Sequence, residues 1–347
     1  MINKLMFKHS INTRNNLHKD ISAATNFTIT RLNNAGIDNY KISQLLLSKN
    51  LTLFCAEYEF PIILKEYLNS QCHKYIDSIL IDELLNNETL WFGLPYLNMS
   101  ELSKSPTVGC VSLLNRVTNV PILGLFPYFS HSSDVEYLLD QIIGFLTSND
   151  KKIGCIGGDH KVTWSMINSI KRVQNREIVY IHFDAHNDLY GLDDENPTKI
   201  INHANFLLDL IEKETIDKVY LIGCRDNKNH QILQKKGVPI HGVYENFSDF
   251  EKNIDCKLTD HIHLSVDIDI LDPKYAPSVT NPIESGWSLE YLLSFLTKLL
   301  SLIRIDSFSF AEVCDIDAVT LESANKILSL LNISHGLYDN SEKNNIS

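Results

Sequence analysis

Apolar runs alternate with amphipathic segments through the last two thirds of the chain. Several of the apolar runs contain almost no polar residue, as expected of strands that are covered on both faces. Strands are predicted at residues 108–113, 121–126, 152–156, 178–183, 218–222, 261–266 and 307–311. Helices are predicted at residues 135–146, 163–172, 203–212 and 289–302. This alternation predicts an α/β fold with three layers, α/β/α, around a mainly parallel sheet.

The N-terminal third has a different pattern. Residues 21–53 and 61–94 are predicted to be mainly helical, and residues 98–106, which contain Ser, Lys and Pro, are the predicted junction. We therefore expect a mainly helical N-terminal segment of unknown role at residues 1–105. A catalytic domain is expected at residues 106–340.

Composition narrows the class of protein. The chain has 347 residues and a net charge of -12, which argues against a general binder of nucleic acid or of an anionic membrane surface. No apolar run is long enough to span a bilayer, and the N-terminus does not resemble a secretory signal. The seven cysteines form no C-x-x-C pair, which favours free thiols in a reduced compartment. The cytoplasm is the expected location.

Metal-ligand residues are concentrated in three short segments, each directly after a predicted strand. The segments read Gly-Gly-Asp-His at 157–160, Asp-Ala-His-Asn-Asp at 184–188 and Asp-Ile-Asp-Ile-Leu-Asp-Pro at 267–273. Ligands of open α/β sheets lie beyond the carboxyl ends of the strands, so we expect these side chains to converge. The predicted metal ligands are His160, Asp184, His186, Asp188, Asp267 and Asp269.

The spacing and chemistry of these ligands predict a site for two divalent metals. Asp184, His186 and Asp188 would share one face of an extended backbone, since alternate residues do. Four carboxylates balance two divalent cations, and oxygen ligands with one or two imidazoles suit manganese. Asp272 precedes a proline and is predicted to stabilise a turn, while Asp159 is predicted to orient its neighbours. Two such metals indicate metal-assisted hydrolysis.

The three motifs resemble those of the ureohydrolase family, which includes arginase, agmatinase and formiminoglutamase. The family pattern is G-G-D-H, then D-A-H-x-D, then S-x-D-x-D-x-x-D-P, and the resemblance covers residues 107–332. It implies an arginase-like fold and two Mn²⁺ ions, with Asp184 and Asp267 binding both. The implied ligands of one ion are His160, Asp184, Asp188 and Asp267, and those of the other are His186, Asp184, Asp267 and Asp269.

The resemblance also implies residues that act on the substrate. His203 matches a histidine that transfers protons in the family, although it lies farther from Asp188 than is usual. Glu312, in Ala-Glu-Val, matches a carboxylate that pairs with a guanidinium group, as bidentate charge-assisted bonds allow. The implied reaction attacks the guanidinium carbon with an activated water, and His203 or Asp188 protonates the leaving amine. The products would be urea and an amine.

Two substrate-loop positions depart from the arginase pattern. Tyr190 stands where arginase has an asparagine, and Lys228 stands where arginase has an acid that reaches the α-amino group. A lysine cannot pair with an ammonium group, so free arginine is disfavoured. The Gly-Thr-Gly of the family is replaced by Ser-Val-Thr at 278–280, and its late Asn-Pro by Cys-Asp at 314–315.

Three substrate classes remain compatible with these departures. The first is arginine within a peptide, converted to ornithine, for which the N-terminal segment would hold the rest of the peptide. Formimidoylglutamate is the second, with Lys228 meeting a carboxylate, and agmatine or a small guanidino acid is the third. A hypothesis of another class is a metal-binding pseudoenzyme or binding module, against which the complete ligand set argues. The expected partner is thus a guanidino-containing small molecule or peptide, and a homo-oligomer is also compatible with the sequence.

Overall fold

The computed structural model describes most of the chain from residue 87 to residue 333. The described residues are 52–53, 87–94, 109–110, 113, 116–117, 120, 122–125, 132–148, 150–191, 201–226, 240–314 and 317–333.

A parallel sheet of nine strands lies at the centre of this part of the chain. In chain order the strands are β1 (Thr52–Leu53), β2 (Thr89–Leu94), β3 (Ile122–Leu125), β4 (Lys152–Gly157), β5 (Ile178–Phe183), β6 (Lys218–Ile222), β7 (Ile240–Tyr244), β8 (His261–Asp267) and β9 (Ser307–Ala311). Their order across the sheet is β1-β3-β2-β4-β9-β8-β5-β6-β7.

In the described part of the chain, six helices with defined limits cover the two faces of the sheet. They are α1 (Ser132–Ser148), α2 (Val162–Val173), α3 (Phe206–Glu212), α4 (Phe247–Asn253), α5 (Leu289–Leu302) and α6 (Ala318–Ile333). One apolar core joins Leu139 of α1, Met166 of α2 and Leu207 of α3 to one face, and a second joins Phe295 of α5 and Ile327 of α6 to the other. The predicted three-layer α/β/α fold is confirmed.

The sequence of each strand explains how it is covered. Along β5, Ile178 and Tyr180 belong to one core and Val179 and Ile181 to the other, because successive side chains of a strand point to opposite faces. All six residues of β5 are buried, which accounts for a sequence that is apolar except for His182.

A glycine permits the close packing of β4 on β2. A Cβ atom added to Gly154 would lie 2.1 Å from a ring carbon of Trp91. The Trp91 ring in turn stacks on Phe308 of β9 with ring centroids 5.8 Å apart. A side chain at position 154 would therefore displace a fully buried tryptophan ring.

The structure differs from the predicted elements in several places. Residues 108–113 were predicted as a strand, but Gly109, Cys110 and Leu113 are helical; a short apolar run does not distinguish a buried helix from a strand. Strand β7 was not predicted, because it lies at the sheet edge and its residues are mostly part-exposed. Helices α4 and α6 were not predicted either, and α3 begins at Phe206 rather than at residue 203.

The predicted N-terminal boundary needs correction as well. Strand β2 pairs with both β3 and β4, so the sheet includes residues that precede position 106. The run Thr-Leu-Trp-Phe-Gly-Leu is fully buried, and burial on both faces removes the alternation that would have marked it as a strand. The remaining helical predictions for residues 1–51, 54–86 and 95–105 lie outside the described residues. Among the helices that the structure describes, none has the length and hydropathy needed to cross a membrane.

Candidate active site

The predicted ligands come from the carboxyl ends of three strands that lie close together in the sheet. His160 follows β4, Asp184 follows β5 and Asp267 is the last residue of β8. Strands β4, β9, β8 and β5 are consecutive neighbours, so their ends meet at one edge. The order of the strands therefore brings together residues that are more than a hundred positions apart in the sequence.

The first group of ligand atoms surrounds one ring nitrogen of His160. Its Nδ1 atom lies 2.8 Å from Oδ2 of Asp184, 3.1 Å from Oδ2 of Asp188 and 3.3 Å from Oδ2 of Asp267. His160 and Asp184 are each about 1% exposed. His160 Nδ1, Asp184 Oδ2 and Asp188 Oδ2 are buried without a hydrogen-bond partner. Buried polar atoms normally have a partner, so this group fits a divalent metal.

A second group of ligand atoms lies beside the first. His186 Nδ1 is 2.9 Å from Oδ2 of Asp269 and 3.5 Å from Oδ1 of Asp184. The two oxygens of Asp184 thus face different groups, as a shared carboxylate requires. Oδ2 of Asp267 faces the first group, and its Oδ1 accepts a hydrogen bond from the backbone N–H of Asp269 at 2.8 Å. The sharing of Asp267 between two ions stays a prediction.

The backbone route to this convergence differs from the prediction. Strand β5 ends at Phe183, and residues 184–188 form an irregular turn in which Asp184 Oδ1 accepts from the backbone N–H of His186 at 2.6 Å. Asp188 has φ of 51°, in the left-handed region that side chains rarely adopt. An extended backbone sharing one face was therefore the wrong reason for the correct convergence. Short aspartate side chains close such turns by bonding their own backbone.

The electrostatics of the cluster favour bound cations. Burial and the charge of Asp184 raise the pKa of Asp188 to about 7. Burial also raises the pKa of Asp267, with further contributions from Asp269 and Asp184. Carboxylates that are buried together repel one another. Divalent ions would remove this repulsion and return the carboxylates to their ionised form.

The two residues predicted to act on the substrate lie at the same cavity. An open cavity of about 210 Å³ is lined by residues of both ligand groups and by His203 and Glu312. Tyr190 also lines it and is 64% exposed. Asp226 is a further lining residue, and no lysine or arginine of the described chain lines this cavity. Lys228, which was predicted to contact substrate, lies outside the described residues.

Glu312 is held in place over the first ligand group. Its Oε1 accepts from the backbone N–H of His160 at 2.8 Å, and its Oε2 accepts from the Thr280 hydroxyl at 3.3 Å. Burial, and then the charge of Asp159, raise the pKa of Glu312 to about 8. Glu312 also has φ of 67°, a conformation that costs on the order of 1–3 kcal/mol for a side-chain residue. The carboxylate is thus fixed at the cavity wall.

Asp159 and Asp272 are correctly placed outside the ligand groups. The Asp272 Oδ1 atom accepts from the backbone N–H of Lys274 at 3.0 Å, which is the turn contact that was predicted. Asp159 joins neither candidate metal group of the described residues. Its two carboxylate oxygens are buried without a hydrogen-bond partner.

His182 belongs to the site but was not predicted. It is fully buried, stacks on His160 with centroids 5.0 Å apart, and places Nε2 3.2 Å from Oδ2 of Asp184. The hydroxyl of Tyr180 lies 2.7 Å from its Nδ1 and donates to it. Its Nε2 atom donates to the backbone carbonyl of His186 at 3.2 Å, so a neutral ring carries its proton there and has no lone pair on Nε2 for a metal. The signal in the sequence was a histidine inside the apolar run of β5.

The fold and the site together define an α/β/α protein with a two-part carboxylate and imidazole centre at the carboxyl edge of a parallel sheet. The model of the arginase family matches residues 117–331. This match covers more than half of the chain, and the chain belongs to the arginase family.

Relatives in this family carry several names. The chain is 26% identical to an agmatinase of Chromobacterium violaceum over 187 residues, which cover 52% of this chain and 56% of that protein. It is 28% identical to the mitochondrial arginase 1 of Oryza sativa subsp. indica over 149 residues, 42% of this chain and 43% of that protein. The chain spans about half the length of the curated relatives it matches.

Solved structures show the same fold at low identity. An arginase of Bacillus subtilis superposes with a TM-score of 0.57 at 22% identity, covering 72% of this chain and 98% of that one. The proclavaminate amidino hydrolase of Streptomyces clavuligerus superposes with a TM-score of 0.59 at 18% identity, covering 73% and 93%. At these identities the likeness establishes the fold alone.

Proposed function

We propose that this chain hydrolyses a guanidino group with the help of two divalent metal ions, expected to be Mn²⁺, and releases urea. The observation that supports this most directly is the shared cavity. Both ligand groups, His203 and the Glu312 carboxylate face the same open space. Family membership supports the same class of reaction.

Each side chain at the cavity has a separate role in the proposed reaction. Glu312 receives the planar cation through two parallel hydrogen bonds, since a fixed carboxylate matches a guanidinium. The two ions, when bound, would lower the pKa of a water that attacks the guanidinium carbon and would stabilise the charge on its oxygen. His203 transfers a proton to the leaving nitrogen, with Asp188 as the alternative donor. Tyr190 contacts the part of the substrate that extends toward solvent.

Arginine within a peptide, converted to ornithine, is our proposal for the substrate. Tyr190 is exposed at the mouth of an open cavity, where the flanks of a peptide could pass. Lys228 in place of an acid also disfavours a free α-ammonium group. Formimidoylglutamate stays an alternative, because Lys228 would meet its carboxylate. Asp226 at the cavity favours a cationic amine such as agmatine as the second candidate.

A substrate screen with the full chain loaded with Mn²⁺ tests the proposal. The substrates are an N-acetylated, C-amidated peptide with one internal arginine, free L-arginine, agmatine, 4-guanidinobutyrate and formimidoylglutamate. We expect urea from the peptide and a loss of ~42 Da per converted arginine, as hydrolysis to ornithine and urea requires. Glu312→Gln, which keeps the shape but removes the charge, is the control and should release no urea.

Each alternative gives a different outcome. Urea from agmatine or free arginine with the peptide unchanged would refute the peptide substrate and keep the hydrolase. Formamide or ammonia from formimidoylglutamate, without urea from any guanidino compound, would refute guanidino hydrolysis. Metal binding with no product from any substrate would favour the pseudoenzyme. Elemental analysis after dialysis should find about two manganese ions per chain, since two ligand groups are present.

A further inference from the structure

Two central strands carry a polar pattern that their position does not explain. Strand β8 reads His-Ile-His-Leu-Ser-Val-Asp and β9 reads Ser-Phe-Ser-Phe-Ala, a strict alternation typical of strands with one solvated face. The two strands are neighbours in the middle of the sheet, and every residue of both is buried. Burying polar side chains is costly unless they are hydrogen-bonded. The polar side chains of β8 and β9 therefore require hydrogen-bond partners inside the protein.

The polar side chains begin a hydrogen-bonded chain at the metal site. His160 Nε2, on the opposite side of the ring from the carboxylates, lies 2.6 Å from the Ser265 hydroxyl. That hydroxyl lies 3.2 Å from Oγ1 of Thr163, at the start of α2. Thr163 Oγ1 lies 2.7 Å from the Ser309 hydroxyl of β9.

The same chain continues along the two strands, away from the metal site. The Ser309 hydroxyl lies 3.0 Å from Nε2 of His263, whose Nδ1 lies 2.7 Å from the Ser307 hydroxyl. Ser307 then lies 2.8 Å from Nε2 of His261. Finally, His261 Nδ1 lies 2.9 Å from Oε1 of Gln174, just beyond the end of α2. Seven buried side chains thus connect the metal site to a half-buried amide at the other end of the strands.

The amide sets the direction of every hydrogen bond in the chain. Gln174 Nε2 donates to the Thr147 hydroxyl at 2.9 Å, so its Oε1 faces His261 and can only accept. His261 must therefore carry its proton at Nδ1, and its Nε2 accepts from Ser307. The Ser307 hydroxyl, having donated, accepts from Nδ1 of His263, and the remaining links repeat this order. Each group donates toward Gln174.

The direction of the chain decides which nitrogen of His160 is available. Because Ser265 donates to Thr163, it accepts from His160, which places a proton on Nε2 of that ring. The lone pair of a neutral His160 ring is then on Nδ1, the atom that faces Asp184, Asp188 and Asp267. The reversed direction would place the proton on Nδ1 and block it as a ligand. Burial lowers the pKa of His261 to about 3 and that of His263 well below its ordinary value, so both rings are neutral as the chain requires.

We propose that this chain of hydroxyls and imidazoles fixes the Nε2–H tautomer of His160, so that Ser309, His263 and Ser307 are positioning residues for a metal centre that they do not touch. The partner of the second ring nitrogen commonly sets the tautomer of a metal-binding histidine. Here that partner is the first of six side chains that connect His160 to the Gln174 amide at the far end of the strands. The inference rests on the proposed function, since it assumes that His160 binds a metal.

The tautomers themselves can be read without any metal. In metal-free protein with ring-¹⁵N-labelled histidine, nitrogen chemical shifts and couplings distinguish Nδ1–H, Nε2–H and charged rings. We expect His261 and His263 both to be neutral with the proton on Nδ1, assigned through the His261→Gln and His263→Gln variants. An Nε2–H tautomer or a charged ring at either position would overturn the inference, because the direction of the chain would then be different.

Metal affinity tests whether the hydrogen-bonded chain of side chains affects metal binding at the site. Ser309→Ala breaks the chain three links from His160 and leaves all the ligands in place. Ser323→Ala is the matched control, because Ser323 is equally buried and donates one hydrogen bond, to the backbone carbonyl of Tyr275 at 2.7 Å, outside the chain. By titration calorimetry with Mn²⁺ alone, Ser309→Ala should weaken the tighter binding step about 10–100-fold, as loss of an outer partner typically does. Ser323→Ala should leave it unchanged.

The outcomes separate this inference from the proposed function. Equal Mn²⁺ affinity in Ser309→Ala and the wild type, or an equal loss in Ser323→Ala, would refute the positioning role. Failure of the wild-type protein to bind Mn²⁺ would refute the proposed function. If Ser309→Ala does not fold, the tautomers of the unmodified protein decide the inference on their own.

Discussion

Asp269 and Asp272 lie three residues apart in the same motif, yet the structure gives them different roles. Asp269 is 4% exposed and lies beside His186 in the second ligand group. In the described contacts, the Asp272 side chain accepts one hydrogen bond, from the backbone N–H of Lys274. Alanine at each position therefore tests whether the division between metal ligand and turn residue is correct.

The magnitudes follow from what each carboxylate contacts. Asp269→Ala removes one carboxylate from the second group, which leaves His186 and Asp184 to hold an ion. Loss of transition-state stabilisation on the order of 3–4 kcal/mol is expected for such a centre, or roughly 10²–10³-fold in kcat. Asp272→Ala removes one turn hydrogen bond, which contributes about 0.5–1.5 kcal/mol to stability. Its melting temperature should fall by about 2–4 °C per kcal/mol.

Elemental analysis, urea release and thermal melting of both variants make up the assay. We expect Asp269→Ala to retain about one metal per chain and to lose most of its activity. Asp272→Ala should retain both metals and full activity at a lower melting temperature. If the two variants have the same metal content, the assignment of Asp269 as a ligand and of Asp272 as a turn residue is wrong.

Three further predictions concern other parts of the molecule. His203→Ala should lower kcat by roughly 10²–10⁴-fold with metal content unchanged, and wild-type turnover would remove His203 from the reaction. Burial, with Arg176 and Arg304 nearby, lowers the pKa of His261 from its ordinary value of 6.5 to about 3, so the unfolded chain binds the extra proton as the pH falls through this window. The contribution of His261 to the free energy of unfolding should therefore fall by about 1.4 kcal/mol per pH unit below 6.5 and level off near 3. Urea denaturation at several pH values measures the slope, which His261→Gln should reduce. An unchanged slope in this variant would contradict the role of His261. Gly154→Ala should destabilise the fold by about 1–3 kcal/mol through its contact with Trp91, and thermal melting measures the loss. Gly144→Ala is the control: it lies in helix α1, a Cβ there would have its nearest neighbour 3.8 Å away, and the melting temperature should be unchanged or higher.

The sequence by itself determined the fold class and the ligand set. Apolar runs without alternation predicted strands covered on both faces, and β5, β6 and β9 have the predicted limits. The motifs at the ends of the predicted strands named six candidate ligands, and the structure brings these residues together. These inferences succeeded because they depend on local periodicity and on the rule that parallel strands end at one edge.

The tertiary structure alone decided the roles that depend on contacts across the sheet. The two oxygens of Asp184 face different ligand groups, while Asp267 turns one oxygen to its own backbone. His182 reads as an interruption of an apolar strand until its distance to Asp184 is known. Neither assignment can be made from spacing, because both depend on which side-chain atom faces which neighbour.

The polar alternation of β8 and β9 is a second case in which the sequence alone does not show the contacts of the side chains. Taken alone, His-Ile-His-Leu-Ser predicts a strand with one solvated face. The structure places it in the centre of the sheet, where Ser307 and Ser309 of β9 and Thr163 of α2 provide its hydrogen bonds. The alternation of polar and apolar residues shows which side chains share a face of the strand. The packing of α2 on that face determines whether those side chains form hydrogen bonds with water or with one another.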